Sequence, residues 1–240
     1  MNLILPHDTD SRLGRREPQD WEHVERYSLT METMPLTATP VILGINWYEA
    51  FYTPVKIGRR LWIGLDHKNL GRLMGGHCVC IKPPSLTDLI SWWVFYNQGR
   101  EGACVGFGTG RGLSLFERIR FDARQIYLDA QLVDRWGDTP PEEGTSVRAA
   151  MDILRDKGAP RVVRGKTLTY DPQYGINTNR WARTVDEIIA ALNAPQLYDI
   201  GGVPILNSWG REYPHIVYMP LETLQRVLNE YGEATLFTPR

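Results

Sequence analysis

The sequence predicts an α+β fold in which strands near both ends of the chain flank a central group of helices. Residues 41–45 (VILGI) form an apolar run between Pro40 and Asn46, with the length and composition of a buried strand. Two further strand-like runs lie at 203–207 and 215–219. Between residues 104 and 158, apolar side chains recur at helical spacing.

Length and composition define the broad class. The chain has 240 residues, enough for one domain or two packed lobes with a sizeable core. Its 42% hydrophobic and 23% charged residues are ordinary for a globular protein. The net charge of −1 gives no reason to expect a nucleic-acid or membrane-surface partner. No apolar run reaches 18 residues, and the first residues lack a signal-peptide core, so we expect neither a transmembrane segment nor a signal peptide.

The N-terminal part is predicted to be an extension. Residues 1–34 are polar, rich in arginine and without clear periodicity, so we expect them to wrap the surface or contact a protein partner. A propeptide is the alternative. The domain itself is expected over 35–240. Residues 59–76 are predicted to be a glycine-rich loop with a short strand at 61–63, and residues 74–81 the strand that carries His77.

Three helices are predicted in the centre of the chain. The first covers 104–118, where glycine at every second position from 106 to 112 lowers helix propensity and indicates close packing against a β layer. The second covers 121–135. The third begins after Thr145 or Ser146 and ends at Gly158. Residues 159–183 show no clear pattern and are expected to be irregular.

The C-terminal part combines helices with the two strands at 203–207 and 215–219. Residues 184–187 (TVDE) match a capping box and predict a helix start. Leu221, Leu224 and Leu228 lie on one face of a last helix, which Gly232 is expected to end.

Three short segments carry candidate chemistry. Gln98 stands six residues before Cys104, and a thiol at a helix N-terminus is favoured as the thiolate. A nearby amide can donate to a developing oxyanion. The simpler interpretation of a single cysteine is a small buried apolar residue. The other two segments are GGH at 75–77 and NSWG at 207–210.

Together, the three segments resemble the papain-like cysteine peptidases, which carry Q-G-x-x-G-x-C, a histidine on a strand after a glycine-rich loop, and N-S-W-G. The resemblance implies a two-lobed fold, with a helical lobe at 85–160 and an antiparallel β lobe that joins 40–82 to 185–240. His77 precedes Cys104, whereas the family order is reversed, so the chain resembles a circular permutation. Catalytic triads are recognised by geometry rather than chain order.

The resemblance also implies a role for each residue. Cys104 would be the nucleophile and His77 the general base, with Asn207 orienting the imidazole and Trp209 covering that bond. Gln98 and the Cys104 backbone N–H would form the oxyanion hole. No cofactor is expected. A metal is not expected either, because the cysteines beside His77 have no second ligand pair at zinc-like spacing.

The remaining cysteines and histidines are expected to be structural. Cys78 and Cys80 share one face of a strand and are poorly placed to bond each other, so they are interpreted as packing residues. Papain relatives often have a cysteine where Glu101 stands, and its absence implies a reducing compartment or a fold that needs no disulfide there. The other histidines are His7, His23, His67 and His215.

Two functions follow from the resemblance. The first is an active cysteine peptidase or amidase that cleaves a peptide or protein substrate through an acyl-thioester. The second is a catalytically silent scaffold or binding module, because the permuted pattern resembles papain-like proteins of bacteriophages. We expect a cytoplasmic or virion-associated protein. The complete set of Cys104, His77, Asn207 and Gln98 favours the enzyme, since a structural role has no need of all four. The departures from the family at Ala103 and Val105 bear on packing around the thiol.

Overall fold

The computed structural model describes residues 39–82, 95–134, 143–211 and 213–240. The predicted extension at 1–34 and most of the segment before Gln98 lie outside these ranges. The strands are β1 (Val41–Tyr48), β2 (Val55–Ile57), β3 (Arg60–Trp62), β4 (Leu73–Ile81), β5 (Ala159–Val163), β6 (Lys166–Asp171), β7 (Ile176–Ala182), β8 (Gly202–Leu206), β9 (Ile216–Pro220) and β10 (Glu233–Pro239). The helices are α1 (Cys104–Glu117), α2 (Ala123–Val133), α3 (Val147–Asp156), α4 (Val185–Ala191), α5 (Gln196–Ile200) and α6 (Leu221–Asn229), with a 3-10 turn at Glu49–Phe51.

Most of the strands form one mixed sheet. Its order is β2-β3-β9-β8-β4-β1-β10-β7, and β5 and β6 form a separate pair. All neighbours in the large sheet are antiparallel except β3 and β9, which are parallel. The predicted α+β class is confirmed. Among the described residues, no helix is long and apolar enough to cross a membrane.

Helices cover both faces of this sheet because strand side chains alternate in direction. Ile42 and Cys80 share a buried cluster with residues of α1, α2 and α3. On the opposite face, Leu43 and Ile45 share a cluster with residues of α4 and α6. The sheet is therefore the central layer of the described structure.

The glycines of α1 let this helix approach the sheet closely, as the sequence predicted. A Cβ built on Gly108 would lie 3.0 Å from Cys78 Sγ, and one built on Gly112 would lie 2.4 Å from Ile42 Cδ1. Cys78 and Cys80 both face α1, and both are fully buried. Their interpretation as packing residues on one strand face is confirmed.

The prediction that residues 159–183 are irregular is wrong. They contain β5, β6 and β7, and a tight turn at Arg164 and Gly165, both with positive φ, joins the first two. β7 is an edge strand with several exposed polar residues, so it lacks the apolar run that marks a buried strand. The sequence prediction also missed β10, which lies between β1 and β7, and the short helix α5.

Local signals located the helix starts well. Ser146, rather than Thr145, caps α3, because its Oγ accepts a hydrogen bond from the Ala149 N–H at 3.2 Å. The capping box of Thr184 and Glu187 at the start of α4 is confirmed.

We expect Gly106→Ala to lower the free energy of unfolding by roughly 2–4 kcal/mol. A Cβ at this position would lie 2.3 Å from the Ala123 backbone oxygen and 2.6 Å from Tyr127 Cβ, so α1 and α2 would have to move apart. This cost exceeds the gain of about 1 kcal/mol in helix propensity. Urea unfolding measures the difference.

Gly110→Ala is the matched control on the same helix. There the nearest atom to the new Cβ is Ala123 Cβ at 3.1 Å, and we expect a much smaller loss. Equal stability of Gly106→Ala and the wild type would show that the contact between α1 and α2 is looser than described.

Candidate active site

Two neighbouring strands bring His77 and Asn207 together. β8 pairs with β4 at Cys80 and Leu206. His77 lies three residues before Cys80, and Asn207 directly follows Leu206. The side chains meet where the pairing ends, with His77 Nε2 at 2.9 Å from Asn207 Oδ1 in a buried hydrogen bond.

The hydrogen bonds of Asn207 define the tautomer of His77. The Ser208 N–H donates to Asn207 Oδ1 at 2.7 Å, so this atom must be the amide oxygen. His77 Nε2, which also contacts this oxygen, must therefore carry the proton. Nδ1 is left as the basic nitrogen of the neutral ring.

Aromatic rings enclose the pair of His77 and Asn207. Trp209 stacks on the imidazole with centroids 4.7 Å apart, and Trp47 meets it edge-on at the same separation. Tyr52 stacks on the Trp209 ring at 5.5 Å, and Tyr213 contacts it edge-on at 4.9 Å. Only 5% of His77 is exposed, so the rings exclude water from the bond to Asn207.

The segment before α1 is fixed to the N-S-W-G segment. The Gln98 N–H donates to the Ser208 carbonyl at 2.8 Å, and Asn97 forms a β-bridge with Trp209. The side-chain amide of Gln98 donates from Nε2 to the Glu101 carbonyl at 3.1 Å. Gln98 is buried, and its Oε1 atom has no hydrogen-bond partner among residues 39–82, 95–134, 143–211 and 213–240. One N–H of this amide is thus bonded within its own loop, and the second N–H remains as a donor for an oxyanion hole.

The packing of α1 on β4 sets the position of Cys104. Built Cβ atoms at Gly108 and Gly112 lie near the sulfurs of Cys78 and Cys80 respectively. Four helix residues advance about 6 Å, nearly the same as two strand residues. Cys104, one turn before Gly108, therefore lies beside the part of β4 that holds His77 and Cys78.

The thiol and the imidazole approach from different sides of the sheet. His77 is paired with Ile45, which faces the core on the side away from α1. The backbone of Cys78, the residue after His77, acts on the Cys104 thiol and works to lower its pKa. No hydrogen bond joins the Cys104 thiol to the His77 ring within the described residues.

Burial governs the protonation of both groups. It raises the pKa of the Cys104 thiol to about 11, although backbone hydrogen bonds from Cys78, Val105 and Cys104 itself act to lower it. Burial also lowers the pKa of His77 to about 4, against the opposing effect of the bond to Asn207. The resting pair is a neutral thiol and a neutral imidazole. The sequence expectation that the helix N-terminus yields a thiolate is wrong for this state, because desolvation outweighs the helix terminus.

We expect the stability of the protein to fall as the pH drops from about 6.5 to about 4, in part because of His77. The unfolded chain takes up a proton on this ring in that range, whereas the folded chain does not, since its pKa lies near 4. At about 1.4 kcal/mol per pH unit, the contribution lost is about 3 kcal/mol. Unfolding free energies measured against pH should show a shallower slope for His77→Gln.

His215→Gln is the comparison variant, because burial also lowers the pKa of His215 to about 4. The double variant should combine both reductions in slope, since the two rings make no direct contact among those described. A slope for His77→Gln equal to that of the wild type would contradict the neutral, buried state of this ring.

The other candidates make structural contacts. Glu101 Oε2 pairs with Arg124 Nε at 2.9 Å, at the place where papain relatives often have a cysteine. His67 Nδ1 lies 3.0 Å from a Glu222 oxygen, and His215 stacks on Phe95 with centroids 5.2 Å apart. His7 and His23 lie outside the described residues.

The sequence analysis missed Arg111. This side chain is fully buried, and its Nη1 donates to the Asn207 backbone oxygen at 2.6 Å. A signal was present, since Arg111 lies seven residues after Cys104 in a helix composed mostly of small and apolar residues.

Comparisons with known proteins give no assignment. No protein-family model matches this chain, and no curated protein is significantly similar to it. The functional argument therefore depends on the geometry of the site.

Proposed function

We propose that this chain is a cysteine peptidase or amidase with a circularly permuted, papain-like arrangement. The observation that carries the proposal is the buried hydrogen bond of 2.9 Å between His77 Nε2 and Asn207 Oδ1, made by residues 130 positions apart. A histidine held by a side-chain amide in one tautomer, beneath a tryptophan, has the features of an oriented general base. A purely structural histidine does not require this arrangement.

The reaction begins with attack by Cys104. The thiol transfers its proton to Nδ1 of His77, and the sulfur forms a bond to the carbonyl carbon of the peptide or amide. The Cys104 N–H and the second N–H of the Gln98 side-chain amide stabilise the negative charge on the oxygen. The C–N bond then breaks, and the proton on Nδ1 passes to the leaving nitrogen.

Water completes the cycle. His77 Nδ1 takes a proton from a water molecule, which attacks the acyl-thioester and releases the carboxylic acid. Cys104 regains its proton from the imidazolium. Because the resting pair is neutral, proton transfer accompanies attack and does not precede it. A substrate that approaches the thiol and orients it toward Nδ1 is therefore part of the mechanism.

A second candidate function is a catalytically silent scaffold, for example in a phage particle. Two observations favour it. The thiol is 5% exposed with its pKa raised to about 11, and His77 is hydrogen-bonded to Asn207 but, among the described residues, not to the thiol. A scaffold would keep the buried bond of His77 and Asn207 for stability and would need no reactive sulfur.

A covalent thiol trap distinguishes the two functions. We expect an epoxide-type reagent to add once, on Cys104, with the site located by mass spectrometry of peptides. The adduct should be absent from Cys104→Ala and retained in Cys80→Ala, which removes another buried thiol of the same site region. His77→Ala should slow the reaction, because the ring accepts the thiol proton.

Two results of the labelling experiment would contradict the proposed enzyme. A wild-type protein that remains unlabelled, or that is labelled on Cys80 first, contradicts a nucleophilic role for Cys104. Equal rates for the wild type and His77→Ala contradict the proposed general base.

A further inference from the structure

Arg111 is a charged side chain in the interior of the protein. It is fully buried, and its Nε and Nη2 atoms have no hydrogen-bond partner in the part of the chain that the structure describes. Burial lowers the pKa of Arg111 to about 10, so the guanidinium stays protonated at neutral pH. Among the described residues, no carboxylate pairs with it. Its guanidinium carbon lies over the Tyr96 ring, 6.0 Å from the centroid. Burial of a cation without a carboxylate partner is costly, so Arg111 needs another explanation than the stability of the fold.

The one side-chain hydrogen bond described for Arg111 points to that explanation. Nη1 donates to the backbone oxygen of Asn207 at 2.6 Å, a short and charge-assisted bond. The same residue uses its side-chain oxygen to accept from Ser208 N–H and from His77 Nε2. Asn207 is therefore held on its main chain by Arg111, while its side chain holds the imidazole.

Arg111 also joins the two elements that carry the proposed reaction. It lies on α1, two turns after Cys104, and it reaches the end of β8. β4 pairs with β1 at His77 and Ile45, whereas its pairing with β8 is described at Cys80–Leu206 and Ile81–Ile205, so this second ladder ends before Asn207. The bond from Arg111 holds the Asn207 carbonyl itself, next to the Ser208 carbonyl that the Gln98 N–H holds.

We propose that Arg111 is a positioning residue, which holds the Asn207 main chain so that its side chain keeps His77 in the Nε2–H tautomer. The inference rests on the proposed roles of Asn207 and His77. Without the guanidinium, the Asn207 carbonyl loses this bond and can shift, although the next residue stays bonded to Gln98. The imidazole then loses its preference for one tautomer while the core around it remains packed.

The test is ¹⁵N NMR of the intact protein labelled on histidine, with the His77 signals assigned from His77→Gln. In the wild type at pH 7 we expect the Nε2–H form to dominate. In Arg111→Met the preference should fall by roughly tenfold, the factor that one hydrogen bond of ordinary net strength supplies. The thermal midpoint should be unchanged or higher, because methionine fills similar space without a buried charge.

Two variants serve as controls. Arg111→Lys keeps a cationic donor and should restore much of the preference. Thr109→Val removes a hydroxyl on the same helix that is buried and has no partner within the described ranges. It should leave the His77 spectrum unchanged.

Each outcome of the NMR experiment either supports or overturns the role proposed for Arg111. An unchanged tautomer preference in Arg111→Met overturns the inference, as does failure of Arg111→Met to fold, since that would make the residue structural. Loss of the preference together with an unlabelled Cys104 in the thiol-trap experiment supports the role of Arg111 and overturns only the proposed hydrolysis.

Discussion

Replacing Cys104 with alanine is expected to abolish hydrolysis, with a loss on the order of 10⁴-fold or more in kcat. The substitution removes the only atom proposed to form a covalent bond with the substrate. Stability should change by about 1 kcal/mol or less, because one small, buried side chain replaces another. Hydrolysis of a peptide library by purified proteins measures the first effect, and urea unfolding the second.

Cys80→Ala is the matched control for this experiment. Cys80 is fully buried on the same strand as His77, so its loss perturbs packing near the site without touching the proposed nucleophile. Activity should persist in Cys80→Ala. Wild-type hydrolysis that survives in Cys104→Ala would refute the proposed function, and a wild type without hydrolysis would favour the scaffold.

The elements predicted correctly are those with local signals. β1 is an apolar run between Pro40 and a polar residue, and it was predicted at 41–45 within the observed Val41–Tyr48. The starts of α3 and α4 follow from Ser146 and from the capping box at Thr184, which act within four residues of chain. Side chains that satisfy nearby backbone N–H groups can be recognised without knowledge of the tertiary structure.

The elements that were missed depend on distant partners. β10 pairs with β1 on one side and with β7 on the other. β7 is an edge strand, and its exposed residues are polar. Neither β7 nor β10 has the alternation of apolar and polar residues by which a strand is recognised in the sequence. Their existence follows from sheet pairing across more than 50 residues, which local propensity does not report.

The candidate site also has features that the sequence predicts and features that depend on distant parts of the chain. His77, Asn207, Gln98 and Trp209 were named from three short motifs, and the structure places them in adjacent segments. The protonation of the site was not predictable, because the pKa of each group depends on burial by residues far away in the chain. A helix N-terminus near a thiol is visible in the sequence, but its desolvation is not.

Asn207→Ala is expected to lower kcat by roughly 10- to 100-fold and to leave the fold intact, as for loss of a group that orients a catalytic side chain. The variant loses the oxygen that accepts from His77 Nε2, so the ring can rotate and take either tautomer. The backbone bond from Arg111 to residue 207 does not need the side chain and should persist. KM should change little, because Asn207 acts through the imidazole and is not proposed to contact substrate.

Asn207→Asp is the informative comparison. A carboxylate keeps an acceptor for Nε2 and adds a negative charge. This charge favours the protonated imidazole and so raises the pKa of His77. The variant should therefore retain more activity than Asn207→Ala, with its pH profile moved to higher pH. If Asn207→Ala and Asn207→Asp lose activity equally and share the wild-type pH profile, the hydrogen bond to His77 does not orient a catalytic base. The bond would then serve packing alone, as the scaffold hypothesis requires.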